Sequence, residues 1–505
     1  MQLQLFAETE YRIFIEKEYN YRMNIVLRCK NIWKNIALPA RASIVYCIAS
    51  FCQSGMAALT TPIFTRLLST AEYGKYSVFN SWMGIFTCFV TLNIYGGVYT
   101  QDIVKNKDKR IELKKNYYIL LTVLSIIWII AFNLFHNLLI KHTGISYNNF
   151  ILMLLMIWAT GIFQIWSQTE RIDYQYKSLL VCTIIYTILS TVMSIFLVYF
   201  AQDKVSARIL GMTLPAIFVY GSLFIKDIRM NQVALDKKKW MHTLSLVIPL
   251  VPHYLSQIIL NNSDRIMIEK MCGASSAGIY SLASSIAQIM SIFNTALLAT
   301  IEPWVYKKMR DGKVKEIKNI AYPALILIAM LNWIFILMAP EIVSVFAPES
   351  YGEAIYVIPP ISMSVFFVFS YSFFAFVEFY YEKTKYISIA TVIGAIANIG
   401  LNYIFIRKFD YIAAGYTTLI CYIVYAATHY LFMNKICRKE QIEKIYSLKI
   451  LLIIASSFVG ICMLTEMIYS LLIVRILIVV FITIILIIRR KEIVLLISKI
   501  KTERN

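Results

Sequence analysis

Charged residues are scarce in this sequence, and it has no long polar stretch that would form a sizeable soluble domain. Only 15% of its 505 residues are charged, 59% are hydrophobic, and the mean hydropathy is +0.66. A water-soluble fold could not cover so much apolar surface. The composition therefore excludes a soluble protein and indicates one embedded in a membrane.

Several motifs that carry chemistry are also missing. The sequence has no G-x-x-x-x-G-K-[ST] loop for nucleotide phosphates, no H-E-x-x-H and no G-x-S-x-G. Its nine cysteines are scattered singly, with no C-x-x-C pair and no clustered histidine, so we expect no metal site and no cofactor. Residues 1–35 contain no apolar core of a cleavable signal peptide, and whether Met1 or Met23 starts the chain is left open. These absences disfavour an enzyme.

What the sequence has instead is a series of apolar runs about 20 residues long, the length that crosses ~30 Å of hydrocarbon as a helix. They predict an all-α polytopic membrane protein with about fourteen transmembrane helices. The predicted spans are 42–64, 78–99, 117–140, 150–169, 179–200, 207–225, 243–263, 279–304, 320–346, 354–380, 386–406, 411–433, 448–468 and 471–488.

The net charge of +20 reflects lysines and arginines that lie between the apolar runs, which favours a topology signal over a surface that binds nucleic acid. With the amino terminus in the cytoplasm, 39 of the 49 lysines and arginines fall on the cytoplasmic side. We therefore expect a multi-pass protein of the bacterial cytoplasmic membrane with both termini cytoplasmic. Membrane lipids are then its immediate surroundings.

The sequence also repeats itself at an offset of 204 residues. PIFTRLLSTAEYGKYSVFN (62–80) returns as RIMIEKMCGASSAGIYSLAS (265–284), which aligns Gly74 with Gly278 and Tyr76 with Tyr280. The starts of the later spans follow nearly the same offset, which predicts two six-helix lobes related by an axis along the membrane normal. We expect these two stretches to be hairpins at the outer face, with tight turns at the glycines and the outer gate between them.

The repeat divides the chain into lobes, linkers and two appended helices. The predicted parts are a basic cytoplasmic segment at 1–41, the N-lobe at 42–226, a linker at 227–242, the C-lobe at 243–434, a loop at 435–447, helices thirteen and fourteen at 448–488, and a tail at 489–505.

These residues carry a family resemblance. TPIFTRLLSTAEYGKYS, followed by IPLVPHYLSQIILNNSDRIMIEKMCGASSAGIYSLASSIAQI, resembles the polysaccharide-transport branch of the multidrug/oligosaccharidyl-lipid/polysaccharide exporter superfamily. Within that branch the chain is similar to the Wzx-type flippases for O-antigen and capsule repeat units. The resemblance implies two lobes around a cavity that opens alternately to each side, and a polyprenyl-diphosphate-linked oligosaccharide as substrate. A repeat-unit polymerase and a chain-length regulator are the partners it implies.

Two other functions remain open at this point. A multidrug or toxic-compound cation antiporter of the same superfamily would commonly have twelve helices and an acidic site in the first lobe, whereas the first half here has no clear carboxylate in the middle of a span. A membrane enzyme of glycan assembly, such as a repeat-unit polymerase, would need a large outside loop, which this sequence lacks. The sequence does not identify the glycan, the coupling ion or the oligomeric state.

The candidate substrate residues concentrate on the seventh span. His253, Gln257, Asn261 and Asp264 recur at helical spacing, which places them on one face, although hydrogen bonding between helices is about as good an explanation. Further candidates near the cavity are Gln53, Arg66, Arg265, Lys270 and Gln288. Arg66 and Lys270 occupy equivalent positions in the two halves and are predicted at the cavity rim; Arg265 has Asp264 or Glu269 as alternative partners.

Three residues are candidates for coupling transport to an ion gradient. His253 is a proton carrier by its chemistry. Glu302 and Glu378 are carboxylates in or near apolar helices, where an ionisable group is costly and therefore a functional candidate. Ordinary ion pairs are the simpler expectation for both, with Lys307 or Lys308 for Glu302 and with Lys383 or Lys385 for Glu378.

Overall fold

The computed structural model describes residues 38–229 and 235–490. Met1, Met23 and most of the two terminal segments lie outside the described residues, as does part of the linker. Within the described ranges the regular secondary structure consists of helices. The predicted all-α class is therefore confirmed.

The N-lobe is formed by six long helices and one short one. They are α1 (Leu38–Leu67), α2 (Thr70–Thr91), α3 (Gly97–Lys105), α4 (Arg110–Thr143), α5 (Tyr147–Ile172), α6 (Tyr176–Phe200) and α7 (Lys204–Arg229). The start of α2 is fixed by a capping box, because Ser69 accepts a bond from the backbone N–H of Glu72 while Glu72 accepts one from the N–H of Ser69. The predicted second span, 78–99, thus began eight residues too late.

The C-lobe repeats this plan with more breaks. Its helices are α8 (Lys237–Val247), α9 (Val251–Cys272), α10 (Ala274–Ala287), α11 (Ile289–Arg310), α12 (Lys318–Leu337), α13 (Ala339–Phe346), α14 (Ile358–Tyr380), α15 (Thr384–Phe409) and α16 (Ala413–Lys439). Pro249 lies in the break between α8 and α9 and Pro252 in the first turn of α9, where the missing N–H of proline interrupts a continuous helix. Two helices follow, α17 (Leu448–Thr465) and α18 (Leu472–Ile488).

Fourteen spans result when the broken helices are joined. Ten segments in the described ranges are long and apolar enough to cross a membrane, and Leu472–Ile488 is a shorter apolar helix. The remaining spans are α1, α2 and α16, which have 30, 22 and 27 residues. Because a helix rises by about 1.5 Å per residue, each of these is long enough to cross the hydrocarbon.

The repeat seen in the sequence is a repeat of structure. Helix α2 begins at Thr70 and α10 at Ala274, which are related by the same offset as the two hairpin sequences. Later elements drift from it, since α5 begins at Tyr147 but α14 begins only at Ile358, farther along than the offset predicts. Part of the drift comes from a 3-10 segment, Glu349–Tyr356, that precedes α14, whereas only three residues separate α4 from α5.

The two ends of the helix bundle differ in charge. The hairpin end contains the α1–α2 turn and the α9–α10 turn, together with α13. The basic end contains the clusters 105–115, 236–239 and 307–318. Each lobe has its own aromatic core between these ends, such as the stacked rings of Phe132 and Phe150 in the N-lobe.

The four residues predicted to form the outer turns lie elsewhere. Gly74, Tyr76, Gly278 and Tyr280 all lie within the first two turns of α2 and α10. The chain reverses before them, at Leu68–Ser69 in the N-lobe and at Gly273 in the C-lobe, where φ is +95°. The prediction of glycine turns at these positions was wrong, and the two glycines have a different use.

Candidate substrate pathway between the two lobes

Helices α2 and α10 cross at the hairpin end with their backbones in contact. A Cβ added to Gly74 would lie 1.8 Å from the carbonyl oxygen of Ala274, and one added to Gly278 would lie 2.0 Å from that of Thr70. Gly74 and Gly278 are equivalent in the repeat, and so are Thr70 and Ala274. The contact of Gly74 with Ala274 therefore has a symmetric copy in the contact of Gly278 with Thr70. The crossing therefore lies on the pseudo-twofold axis, and only glycine fits there.

Polar contacts reinforce this crossing. The hydroxyls of Thr70 and Ser275 lie 2.7 Å apart across it. The Thr65 hydroxyl donates to the carbonyl of Phe346 at 2.6 Å, which ties the end of α1 to α13 of the other lobe. The lobes are thus joined at the hairpin end, and this end of the pathway is closed.

A polar face of α9 lies between the lobes. Gln257 and Asn261 are exposed on it. On one side α9 contacts α2, where Gly84 approaches Ile258, and on the other the Tyr422 hydroxyl of α16 donates to Asn261 at 2.9 Å. Because the exposed face is bounded by a helix of each lobe, it faces the gap between them.

Arg265 continues this face toward the crossing. Its guanidinium donates to the backbone carbonyl of Asn261 at 3.0 Å and is close enough to Tyr73 of α2 to interact with it electrostatically. It forms no ion pair with Asp264 or Glu269 among the described salt bridges, contrary to the alternative drawn from the sequence. A guanidinium without a carboxylate partner is suited to bind phosphate oxygens.

Three other predicted residues have less defined surroundings. His253 lies in the first turn of α9, with its Nδ1 buried and without a hydrogen-bond partner in the described structure. Gln288 is exposed at the break between α10 and α11 and accepts a bond from Ser291 at 2.8 Å. Gln53 belongs to α1, but its side chain lies outside the described part of the structure.

Asp264, predicted in the cavity, is instead buried inside the C-lobe. Its carboxylate accepts three bonds from neutral groups: from Asn402 at 2.6 Å, from Tyr280 at 2.7 Å and from Thr418 at 2.9 Å. Nearby, Ser263 donates to Asn398 at 2.8 Å. This polar cluster joins α9, α10, α15 and α16, so it holds the C-lobe together and does not line the gap.

The two cations predicted at a symmetric rim make different contacts. Arg66 is exposed and donates to the carbonyls of Pro62, at 2.8 Å, and of Val345, at 3.1 Å, in the other lobe. Lys270 is exposed with its Nζ 5.7 Å from the ring of Trp82 on α2. Both lie near the contact between the lobes at the hairpin end, which leaves their predicted role in the pathway untested.

The expected lysine partner of Glu378 was wrong, whereas the pairing expected for Glu302 stays a prediction. Glu302 accepts a bond from Tyr306 at 3.0 Å, while Lys308 pairs with Glu316. Glu378, on α14, is bound to His429 of α16 instead of a lysine. Lys383, one of the lysines expected for Glu378, lies 3.9 Å from Glu440.

Sequence reasoning missed the residues that complete these sites, above all Asn402, Thr418 and His429. The signal available was a polar residue within an apolar run, which His429 shares with many side chains that only connect helices. No group of three or more His, Cys, Asp or Glu residues suited to a metal occurs in the described ranges.

An apolar groove runs along the outside of the C-lobe. Its volume is about 480 Å³, and it lies between α14, α16 and the appended helix α17. Phe366 and Phe374 line one wall, Tyr430 the next, and Leu452 and Val459 the third. Its lining suits a hydrocarbon chain.

Comparison with known proteins agrees with this architecture. Residues 40–309 match the family described as "Polysaccharide biosynthesis protein". Two relatives from Haemophilus influenzae are each 22% identical: an "Uncharacterized membrane protein" over 371 residues, covering 71% of this chain and 88% of the relative, and "Lsg locus putative protein 1" over 374 residues, covering 70% and 88%.

Solved structures share the fold at low identity. The lipid II flippase MurJ in an inward closed conformation has a TM-score of 0.68 and 15% identity, covering 89% of this chain and all of that one. An inward-facing MATE family multidrug resistance transporter of the MOP superfamily has a TM-score of 0.62 and 15% identity, covering 80% and 100%. Because the family match spans more than half of the sequence, the chain belongs to the polysaccharide biosynthesis protein family, with the fold of the multidrug/oligosaccharidyl-lipid/polysaccharide exporters.

Proposed function

We propose that the protein is a flippase that moves a polyprenyl-diphosphate-linked oligosaccharide from the cytoplasmic to the outer leaflet of the bacterial cytoplasmic membrane, for the synthesis of O-antigen or capsule. The observation that carries the proposal is the polar face of α9 between the lobes, with Gln257, Asn261 and Arg265. Its amides suit sugar hydroxyls, and its guanidinium suits the diphosphate. Such groups offset the cost of taking a polar head group through hydrocarbon.

The remaining features support the same cycle. The basic end is taken as cytoplasmic, because lysines and arginines concentrate there. With the crossing at Gly74 and Gly278 closed, the pathway is shut toward the outer side, and opening this crossing while the basic end closes gives alternating access. The groove beside α17 has room for part of a polyprenyl chain, while the rest stays in lipid.

Transport is coupled to an ion gradient and proceeds without ATP, since the sequence has no nucleotide-binding loop. The protein is then a transporter and not an enzyme. MurJ, whose fold it shares, is itself described as a lipid II flippase. A polymerase and a chain-length regulator are its proposed protein partners.

The test is flipping by the purified protein in proteoliposomes. A fluorescent polyprenyl-diphosphate oligosaccharide becomes accessible to a membrane-impermeant quencher when it changes leaflet. We expect the protein to accelerate this without ATP, and Arg265→Met to slow it by roughly tenfold, as for loss of one charged hydrogen bond. The matched control is Arg407→Met, an exposed arginine stacked on Tyr403 outside the gap.

Two outcomes would contradict the proposal. Strict dependence on ATP would refute the coupling. Failure to flip the lipid-linked sugar, together with export of a lipophilic cation from the same vesicles, would indicate a multidrug antiporter instead.

A further inference from the structure

The C-lobe contains an acid and a base sealed together in its interior. Glu378 of α14 and His429 of α16 both have completely buried side chains. The Nδ1 of His429 lies 2.9 Å from one carboxylate oxygen of Glu378 and 3.0 Å from the other. The Nε2 of His429 is also buried and has no hydrogen-bond partner within the described residues. A buried polar nitrogen of this kind is expensive, so it calls for an explanation.

Aromatic rings enclose the pair. Tyr371 stacks on the His429 ring at 5.2 Å between centroids and an angle of 23°, and Tyr425 approaches edge-on at 4.5 Å. The Tyr425 hydroxyl lies 3.3 Å from the hydroxyl of Thr391, the residue through which α15 approaches the site. The two tyrosines shield the imidazole from water in this conformation.

The other titratable groups on the helices packed around the pair are engaged elsewhere or make no contact with it. The engaged groups are Tyr280 of α10 with Asp264, Tyr306 of α11 with Glu302, Tyr322 of α12 with Ser447, Tyr411 with Glu353 before α14, and Lys383 after α14 with Glu440. Helix α17 carries Lys449 and Cys462, neither of which forms a hydrogen bond or ion pair with the two residues. Among the described residues, His429 is therefore the one basic group within ion-pair distance of Glu378.

We infer that Glu378 and His429 form the proton-binding site that couples transport to a transmembrane proton gradient. This inference rests on the proposed function and names its coupling ion. With a proton on each ring nitrogen of His429, the pair is an imidazolium and a carboxylate with no net charge, which costs less to bury than a pair with a net charge. When water reaches the site, a hydronium ion gives its proton to the Glu378 carboxylate, leaving a carboxylic acid, an imidazolium and a water molecule.

The doubly protonated pair has a net positive charge and has lost its internal attraction. It is therefore stable only in a conformation that exposes it to water, whereas the neutral pair favours the sealed conformation described here. Glu378 lies two residues before the end of α14 at the basic end, so a small opening of that end lets the proton leave to the cytoplasm. Proton number and conformation are thereby linked.

Helix α14 is attached to helix α11. Asn294 of α11 donates to the carbonyl of Val365 on α14 at 2.9 Å. The Tyr306 ring of α11 lies 5.9 Å from that of Phe376 and 6.0 Å from that of Tyr380, the residues that flank Glu378 on α14. A movement of α14 on protonation is thus passed to α11, which begins next to the exposed Gln288.

The first experiment needs no substrate. Infrared difference spectra of the purified protein, recorded between about pH 5 and pH 8, follow the carboxylic acid band as Glu378 gains its proton. We expect Glu378→Gln to remove a band that persists in Glu466→Gln, which removes a half-buried carboxylate between the appended helices α17 and α18 that accepts a bond from Tyr416. If the spectrum of Glu378→Gln equals that of the wild type, Glu378 binds no proton in this range and the inference is overturned.

The second experiment measures the ratio of flipping rates with and without an imposed pH gradient, using the fluorescent polyprenyl-diphosphate oligosaccharide. The ratio should exceed one for the wild type and for Glu466→Gln, and fall to about one for Glu378→Gln and for His429→Gln. An unchanged ratio in both variants overturns the inference but leaves the flippase intact. If the wild type does not flip the probe, the proposed function fails, and the infrared titration still decides whether the pair binds protons.

Should Glu378→Gln fail to fold, Glu378→Asp keeps a carboxylate one methylene shorter. We expect its infrared band to appear at a shifted pH, and its gradient ratio to lie between those of the wild type and of His429→Gln. A variant whose pH response and gradient ratio both equal those of the wild type would count against the inference.

Discussion

The internal repeat is preserved at the contact between the two lobes but not in the interiors of the lobes. At the contact the repeat is kept almost atom for atom, since Gly74 meets Ala274 as Gly278 meets Thr70. Inside the lobes the chemistry has diverged. The repeat aligns Asp264 with Thr60, so the buried carboxylate of the C-lobe has no counterpart in the N-lobe.

The acids of the N-lobe also have different surroundings. Asp102, Asp173 and Asp227 lie at the basic end, and each pairs with a lysine or arginine. In the C-lobe, Asp264 is bound by neutral donors and Glu378 by a histidine, and both carboxylates are buried. The two lobes thus share the backbone geometry of their contact but differ in how these acids are bound.

The strongest test of this asymmetry is to remove Asp264. In Asp264→Ala, Tyr280, Asn402 and Thr418 lose their acceptor inside the lobe, at about 1–3 kcal/mol for each unsatisfied donor. We expect the free energy of unfolding to fall by about 3–5 kcal/mol, as for breaking other buried charged networks. Thermal unfolding in detergent, monitored by the loss of monodisperse protein, measures this loss of stability.

The equivalent change in the N-lobe, Thr60→Ala, serves as the control. It removes one buried hydroxyl and should cost about 1 kcal/mol. Asp173→Asn, which breaks a partly exposed pair with Arg110, should cost about 0–1 kcal/mol. Equal losses in Asp264→Ala and Thr60→Ala would show that the interiors are as symmetric as the contact.

The second prediction concerns the symmetry of the contact itself. In Gly74→Ala or Gly278→Ala the new methyl group collides with a backbone carbonyl, which disfavours the closed crossing by about 1–3 kcal/mol. The ratio of closed to open molecules should fall by roughly 5–150-fold, and by the same factor in both variants. Disulfide formation between Thr70→Cys and Ser275→Cys, whose hydroxyls lie 2.7 Å apart, reports that population.

Gly400→Ala is the matched control, because this helical glycine of α15 has open space around its Cβ position. Its cross-linking should equal that of the parent protein. If only one of the two crossing glycines tolerated alanine, the contact would not be a true twofold crossing, and the comparison on which this prediction rests would fail.

Sequence could reveal the spans, the repeat and the fold because each has a local signature. Apolar runs of about 20 residues mark spans whatever they pack against, and the offset survives in a few residues at 74–77 and 278–281. The sequence could not reveal the role of Gly74, since a glycine that follows a helix end fits a tight turn as well as a close crossing of two helices. Only the position of the other lobe decides between them.

The candidate site shows the same limit. Asp264 follows Asn261 by three residues, which turns it about 60° round the helix. That rotation separates the exposed gap from the interior formed by α15 and α16. The pairing of Glu378 with His429 depends on how α14 packs on α16, 51 residues away in the chain. No periodicity within one helix contains that information.

The smallest effect is expected where sequence reasoning placed a symmetric rim. Arg66→Ala removes exposed bonds to two backbone carbonyls, and Lys270→Ala removes an exposed contact with Trp82. Exposed cation contacts of this kind contribute about 0.5–1 kcal/mol, so each variant should lower the flipping rate no more than about fivefold. The proteoliposome assay measures both variants, with Arg407→Ala as the exposed control. A loss as large as that of Arg265→Met would return Arg66 and Lys270 to the substrate path and extend the pathway's symmetry from the glycine crossing to its charges.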